Sequence, residues 1–331
     1  MDWGQIFNNT ASWFFQPTTI AYALAATGLA VHFGYAGLLN FGMAGFMAIG
    51  AYSYAISILS FGLPWWVGIL IGMLGAVVFA FILGIPTLRL RADYLAIVTI
   101  AAAEIVRLLF TTTVFDEYTN SADGLGGYHA GFRAANPFPE GTYGFGPWTW
   151  TADQLWVRVF GMILLAIAVY LVWALMRSPW GRVLKGIRED EDAVRSLGKN
   201  VFAYKMQALI IGGIFGALGG VVFALPSAVV PATYTTSLTF FLWTILLLGG
   251  AATVFGPVVG SIIFWSLITF LDLLFGQLTA GDNPILPEWL MTNQQASLVR
   301  LIVMGLALML LMIYRPQGIF GDRRELAIDA R

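Results

Sequence analysis

The 331 residues are 59% hydrophobic and only 11% charged, which excludes an ordinary soluble domain and points to a polytopic membrane protein. A net charge of −1 gives no electrostatic case for a nucleic-acid partner. There is no cysteine, and the only histidines are His32 and His129, so disulfides, thiol catalysis and a His/Cys metal cluster are excluded.

The first 17 residues carry no Lys or Arg. They do not read as a signal-peptide n-region, and insertion is expected to rely on the first spanning helix. A spanning helix needs ~20 mainly apolar residues. Such stretches lie at 18–34, 38–59, 64–84, 94–113, 155–176, 205–228, 239–255, 257–275 and 298–314, about nine spans with eight to ten possible. The first two are joined so closely that one is expected to be broken or re-entrant. The fold class is therefore all-α, with one transmembrane domain over 1–331 and a spanning core at 17–321.

The second stretch opens Gly37-Leu38-Leu39-Asn40-Phe41-Gly42-Met43-Ala44-Gly45. Glycines weaken a helix and permit either close packing or a break that exposes backbone to a cavity. Asn40, Gly42 and Gly45 are thus pathway candidates, with helix packing the simpler role for the glycines. His32 is read as a packing or interfacial residue. In the fourth stretch Glu104 lies about ten residues in, roughly 15 Å deep, and Arg107 follows one turn on. Intramembrane charges mark a pathway or a pair. A permanent internal ion pair that orients the helix is favoured here over contact with substrate. Arg158, Asp272 and Arg300 fall near span ends and are expected to snorkel to the interface.

The loop 114–154 sets Arg133 against Asp116, Glu117, Asp123, Glu140 and Asp153 and is placed outside. By the same rule, the basic segment 177–204 and the tail with Arg315, Arg323, Arg324 and Arg331 are placed inside, and an odd number of spans puts the N-terminus outside. Trp65, Trp66, Trp148, Trp150 and Trp156 then form an outer aromatic belt.

Residues 177–205 carry seven of the 17 Lys and Arg. Ser178 can cap a short helix beginning at Pro179, in which Trp180, Val183, Leu184 and Ile187 make one apolar stripe. The acidic run Glu189 to Asp192 favours a second helix start, and Gly198 suits its left-handed end. Gly198-Lys199 is not a nucleotide-binding loop, because Asn200 follows and position 193 is Ala. Further on, Gly212, Gly216 and Gly220 form a small-residue face for helix packing. Gly249 to Gly260, with Pro257, reads as a tight turn between two spans.

Several of these stretches together resemble one family. Gly37 to Tyr52 resembles G-x-L-x-x-G-x-A-x-F-x-x-x-G-A-Y. Leu88 to Thr99 resembles L-R-x-x-x-x-Y-x-A-I-V-T and is followed by Glu104-Ile105-Val106-Arg107. Ser178-Pro179-Trp180-Gly181-Arg182, Asp192 to Gly198, and Arg315-Pro316-Gln317-Gly318-Ile319-Phe320-Gly321 complete the order. The order is similar to that of the branched-chain amino acid permeases of ABC importers, the LivM-type subunit in particular, from about Gly34 to Gly321.

The resemblance implies a multi-pass protein of the bacterial inner membrane that works by alternating access. It implies a second, LivH-like permease chain, two cytoplasmic ATPase subunits that bind the ATP, an extracytoplasmic substrate-binding protein and membrane lipid as partners, with no cofactor on this chain. Asp190, Glu191, Asp192, Ala193, Leu197 and Gly198 would form the coupling contact with the ATPase, and loop 114–154 would face the binding protein. Urea or short amides are alternative substrates. An ATP-independent secondary transporter is the alternative class, although it would call for more intramembrane carboxylates than Glu104. An intramembrane enzyme finds no catalytic motif.

Overall fold

The computed structural model describes residues 2–89, 92–279, 293–315 and 317–321. Of the residues used above for topology, Arg323, Arg324 and Arg331 lie outside the described ones. Helix α1 (Trp3–Ser12) begins where the Asp2 carboxylate accepts a hydrogen bond from the Gln5 amide at 3.0 Å. It buries Ile6 and leaves Trp3 and Phe7 exposed. Helix α2 (Pro17–Leu29) takes proline in its first turn and continues as a π-helical segment, Ala30–Tyr35. It is bent by 47° from the preceding helical stretch.

Residues 36–42 are not helical, and Gly37 has φ +68°, a region open to glycine. Helix α3 (Met43–Leu59) follows, then α4 (Trp65–Thr87) and α5 (Ala92–Thr111). The next connection holds the short helices α6 (Asp116–Thr119) and α7 (Ala130–Ala134). It also holds an antiparallel hairpin, β1 (Thr142–Phe145) and β2 (Trp148–Thr151), with Thr142 opposite Thr151 and Phe145 opposite Trp148. The sequence reading expected no strand. The hairpin forms because threonines and aromatics flank Gly146, whose φ of +60° suits the first corner of a two-residue turn.

Helix α8 (Ala152–Arg177) starts at a reciprocal Thr151–Gln154 capping box. Helices α9 (Pro179–Glu189) and α10 (Glu191–Ser196) lead to α11 (Val201–Ala224), α12 (Thr236–Gly249), α13 (Gly256–Thr279) and α14 (Asn293–Tyr314). The protein is thus mostly helical, and each expected apolar stretch holds a helix. Two stretches need correction. The run 38–59 is a non-helical segment plus the 17 residues of α3, and the run 239–255 is the 14-residue α12 plus a turn. At 1.5 Å per residue α12 is about 21 Å long, too short to cross a ~30 Å hydrocarbon core alone.

The core is built around α11. A Cβ on Gly212 would lie 2.5 Å from the Gly28 carbonyl oxygen, and one on Gly220 would lie 2.0 Å from that of Met47. The small-residue face therefore packs α11 backbone against α2 and α3 of the same chain. The two ends of the bundle are distinct. At one end Leu125 and Val229 exchange 2.8 Å backbone hydrogen bonds, and the Trp148 indole donates to the Asn8 carbonyl at 3.0 Å. Helices α9 and α10 lie at the other. The Ile319 and Phe320 amides there donate to Leu248 and Gly249 at 3.0 and 3.1 Å.

Candidate functional site

The α9–α10 segment forms by local rules. The Ser178 hydroxyl accepts from the Gly181 amide at 3.5 Å, and the Asp190 carboxylate accepts from the Ala193 amide at 3.0 Å, so each helix has its own cap. Gly198 closes α10 with φ +76°. Ile187, Val194 and Val201 bury together and fasten α10 to α9 and α11.

The candidate coupling residues divide accordingly. Asp190, Asp192, Ala193, Leu197 and Gly198 are exposed, and Leu197 is 79% exposed. Glu191 instead faces its own chain: its carboxylate forms ion pairs with Lys205 and, at 2.8 Å, with Arg195. Glu191, Asp192 and Arg195 line a groove of about 480 Å³ whose opposite wall is Leu88 and Arg89 from the α4–α5 turn.

Arg188 had no assigned role in the sequence reading. Its guanidinium donates to the Gly34 carbonyl at 2.5 Å, and its side chain is 17% exposed. A Cβ on Gly37 would lie 3.2 Å from Arg188 Cγ. Arg188 therefore ties α9 to the exact place where the chain breaks between α2 and α3. The available signal was its position at the polar edge of the α9 apolar stripe, one residue after Ile187.

The break is pinned from within. Asn40 is fully buried. Its side-chain amide nitrogen lies 3.0 Å from His32 Nδ1, its amide oxygen accepts from the Gly42 amide at 2.7 Å, and its carbonyl accepts from the Trp243 indole at 3.2 Å. His32 Nε2 is 3.0 Å from the Leu209 carbonyl. That carbonyl can only accept, so Nε2 carries the proton and Nδ1 accepts from Asn40. A Cβ on Gly42 would meet the Thr99 carbonyl at 2.5 Å, and one on Gly45 would meet Ala103 at 3.0 Å. Asn40, Gly42 and Gly45 thus pack inside the bundle in this conformation, and His32 is a hydrogen-bonded core residue.

Glu104 and Arg107 do pair, with Arg107 Nε donating to Glu104 Oε1 at 2.9 Å. The pair is not internal, however. The Glu104 side chain is 37% and the Arg107 side chain 20% exposed. The reason is the register of α5, which buries Leu95, Thr99 and Ala103 and turns Ile97, Ile105 and Leu108 outward. Arg158 also departs from expectation. It is 6% exposed, lies over the Trp150 ring at 5.1 Å and donates to Gln16 Oε1 at 3.0 Å. The ring and Gln16 hold it in place of an excursion to water. Asp272 and Arg300 form an ion pair with each other.

Residues 15–313 match the family described as "Branched-chain amino acid transport system / permease component". The chain belongs to this family. The high-affinity branched-chain amino acid transport system permease protein LivM of Escherichia coli strain K12 is 30% identical over 317 residues, covering 92% of this chain and 69% of the relative. A probable branched-chain amino acid transport permease protein LivM of Methanocaldococcus jannaschii is 26% identical over 341 residues, covering 91% of each chain. The nucleoside ABC transporter permease protein NupC of Lactococcus lactis is 25% identical over 250 residues, covering 73% of this chain and 75% of the relative. The permease therefore sits in a membrane and belongs to an ABC transport system.

Proposed function

We propose that this permease is the LivM-type subunit of an ATP-driven importer of branched-chain amino acids. The observation that carries the reading is the family match over 15–313. The geometry supplies the working parts. The capped α9–α10 unit offers Ala193 and Leu197 to an ATPase subunit, and Arg188 links that unit to the broken α2–α3 connection. A second permease chain would complete the pathway, and two ATPase subunits would bind the ATP. A binding protein would deliver substrate to the end that carries the β1–β2 hairpin. That end is extracytoplasmic in this reading, with the N-terminus outside and the C-terminus inside.

The test is uptake in cells carrying the whole system, with leucine, isoleucine, valine, a nucleoside and urea as competitors. The aliphatic amino acids should compete, and uptake should vanish when the partner ATPase loses its phosphate-binding lysine. Competition by the nucleoside alone would transfer the reading to the class represented by NupC. Uptake without a working ATPase would make the chain a secondary transporter. The chain has no cysteine, so single substitutions report sidedness. Labelling of Asn120→Cys from outside and of Glu189→Cys from inside is expected, and the reverse pattern would refute the orientation.

A further inference from the structure

Helix α5 presents an ion pair on a face that its own chain does not cover. Glu104 is the 13th residue of the 20 in α5, so the pair sits about 18 Å along a helix of roughly 30 Å. Both donors of Arg107 that reach Glu104, Nε at 2.9 Å and one Nη at 2.5 Å, use the single oxygen Oε1. Among the described residues, the second carboxylate oxygen and the other Nη of Arg107 have no partner. The surrounding open face is aliphatic, with Ile97 64%, Ile105 57% and Leu108 49% exposed. Charges held against lipid at this depth are strongly disfavoured and by default face a partner or an aqueous path.

The combination has a definite complement. It offers one free carboxylate oxygen, one free guanidinium donor pointing from the next turn, and branched aliphatic side chains on the same face. An α-amino acid zwitterion carries an ammonium and a carboxylate on one carbon, with an aliphatic side chain to one side. We infer that Glu104 and Arg107 form a transport-path binding site for a zwitterionic aliphatic amino acid, Glu104 taking the ammonium and Arg107 the carboxylate, with Ile97, Ile105 and Leu108 against the side chain. The inference rests on the importer reading and deepens it. An ion pair that already balances itself explains why an empty path is stable. Exchange of its free edges onto the substrate adds charge-assisted hydrogen bonds without leaving a lone charge in the membrane.

The experiment uses the complete importer, reconstituted in liposomes with its binding protein. The probe is a diazirine analogue of leucine. Illumination during turnover should attach the probe to the segment 97–108, read by peptide mass spectrometry. Glu104→Gln and Arg107→Gln together remove both charges and leave none unpaired, so the double variant should insert and assemble. Its labelling and its initial uptake rate at low substrate should fall at least about tenfold, the scale of a lost hydrogen bond to a charged group. Three outcomes overturn the site: labelling confined to other segments, uptake by the double variant within about twofold of the unaltered importer, or loss of its assembly with the second permease chain, which would make the pair a subunit contact. ATP-dependent uptake by the unaltered complex tests the importer reading separately.

Discussion

Arg188→Ala should uncouple ATP hydrolysis from transport. The side chain donates to the Gly34 carbonyl at 2.5 Å from a site only 17% exposed. A hydrogen bond from a charged donor contributes about 1.5–3 kcal/mol, and removing it strands the carbonyl at the end of a π-helical segment. The tie between α9 and the α2–α3 break should therefore weaken by roughly 10- to 150-fold as a local equilibrium. The caps of α9 and α10 and the Ile187–Val194–Val201 cluster do not involve this side chain, so the ATPase docking unit should persist. The assay is the ratio of amino acid imported to ATP hydrolysed in liposomes. The ratio should drop several-fold while the ATPase still co-purifies. Arg188→Lys, with charge but without the planar fork, should fall between. An unchanged ratio in Arg188→Ala would refute the argument that force passes from α9 through Gly34.

Gly220→Val should lower the folded amount of permease in the membrane, because even a Cβ would sit 2.0 Å from the Met47 carbonyl oxygen; detergent-resistant yield measures it, and overpacking of this kind typically destabilises by about 1–3 kcal/mol. Gly198→Val should leave insertion normal but abolish uptake and ATPase co-purification, since φ +76° disfavours a β-branched residue by about 1–2 kcal/mol; Ala193→Glu should do the same by charging an exposed docking surface. Burial first, and the Arg133 guanidinium second, hold the loop residue His129 below its ordinary value. The released loop therefore binds a proton more tightly than the docked one, so docking should weaken as pH falls through about 6.5. Hydrogen exchange of segment 116–134 would show this, and an equal pH response in His129→Gln would contradict it.

The coupling unit was legible because its signals are local. Ser178, Asp190 and Gly198 act on amides or angles within a few residues, so spacing alone locates them. The α2–α3 break was legible as a break, but its cause was not. Asn40 holds it through His32, and His32 bonds to Leu209, 177 positions away. Nothing in the local run distinguishes that buried bridge from a cavity-lining amide. Arg188 failed to stand out for a related reason. In the sequence it is one of seven basic residues in a basic segment, and only the fold brings the Gly34 carbonyl, 154 positions away, within its reach. The Glu104–Arg107 pair was predicted from i,i+3 spacing, but its exposure depends on which face of α5 meets α3. The alternation of Leu95, Thr99 and Ala103 inward decides that.

The packing of α11 constrains how the permease can move. Its backbone lies against Gly28 of α2 and against Met47 of α3, and Gly50 of α3 meets Ala217 at 2.3 Å for an added Cβ. Backbone-to-backbone contacts of this closeness have no long side chains to slide or re-extend, so small shifts would lose packing on both sides at once. The triad α2, α3 and α11 should therefore travel as one body. Arg188 grips that body at Gly34, and α5 is attached to it along the Thr99–Ala103 edge, where Thr99 Oγ1 accepts from the Phe41 amide at 3.0 Å. A push on α9 would then reach Glu104 and Arg107 as rotation of the whole triad with α5, not as bending of a single helix. Cysteines introduced at Gly28 and Gly212 would disturb the contact itself, so the fitting probe is a spin-label pair on the exposed positions Ile97 of α5 and Leu59 of α3. The distance between the two labels should stay constant between nucleotide states, and a change in it would show that the rigid unit ends at α3.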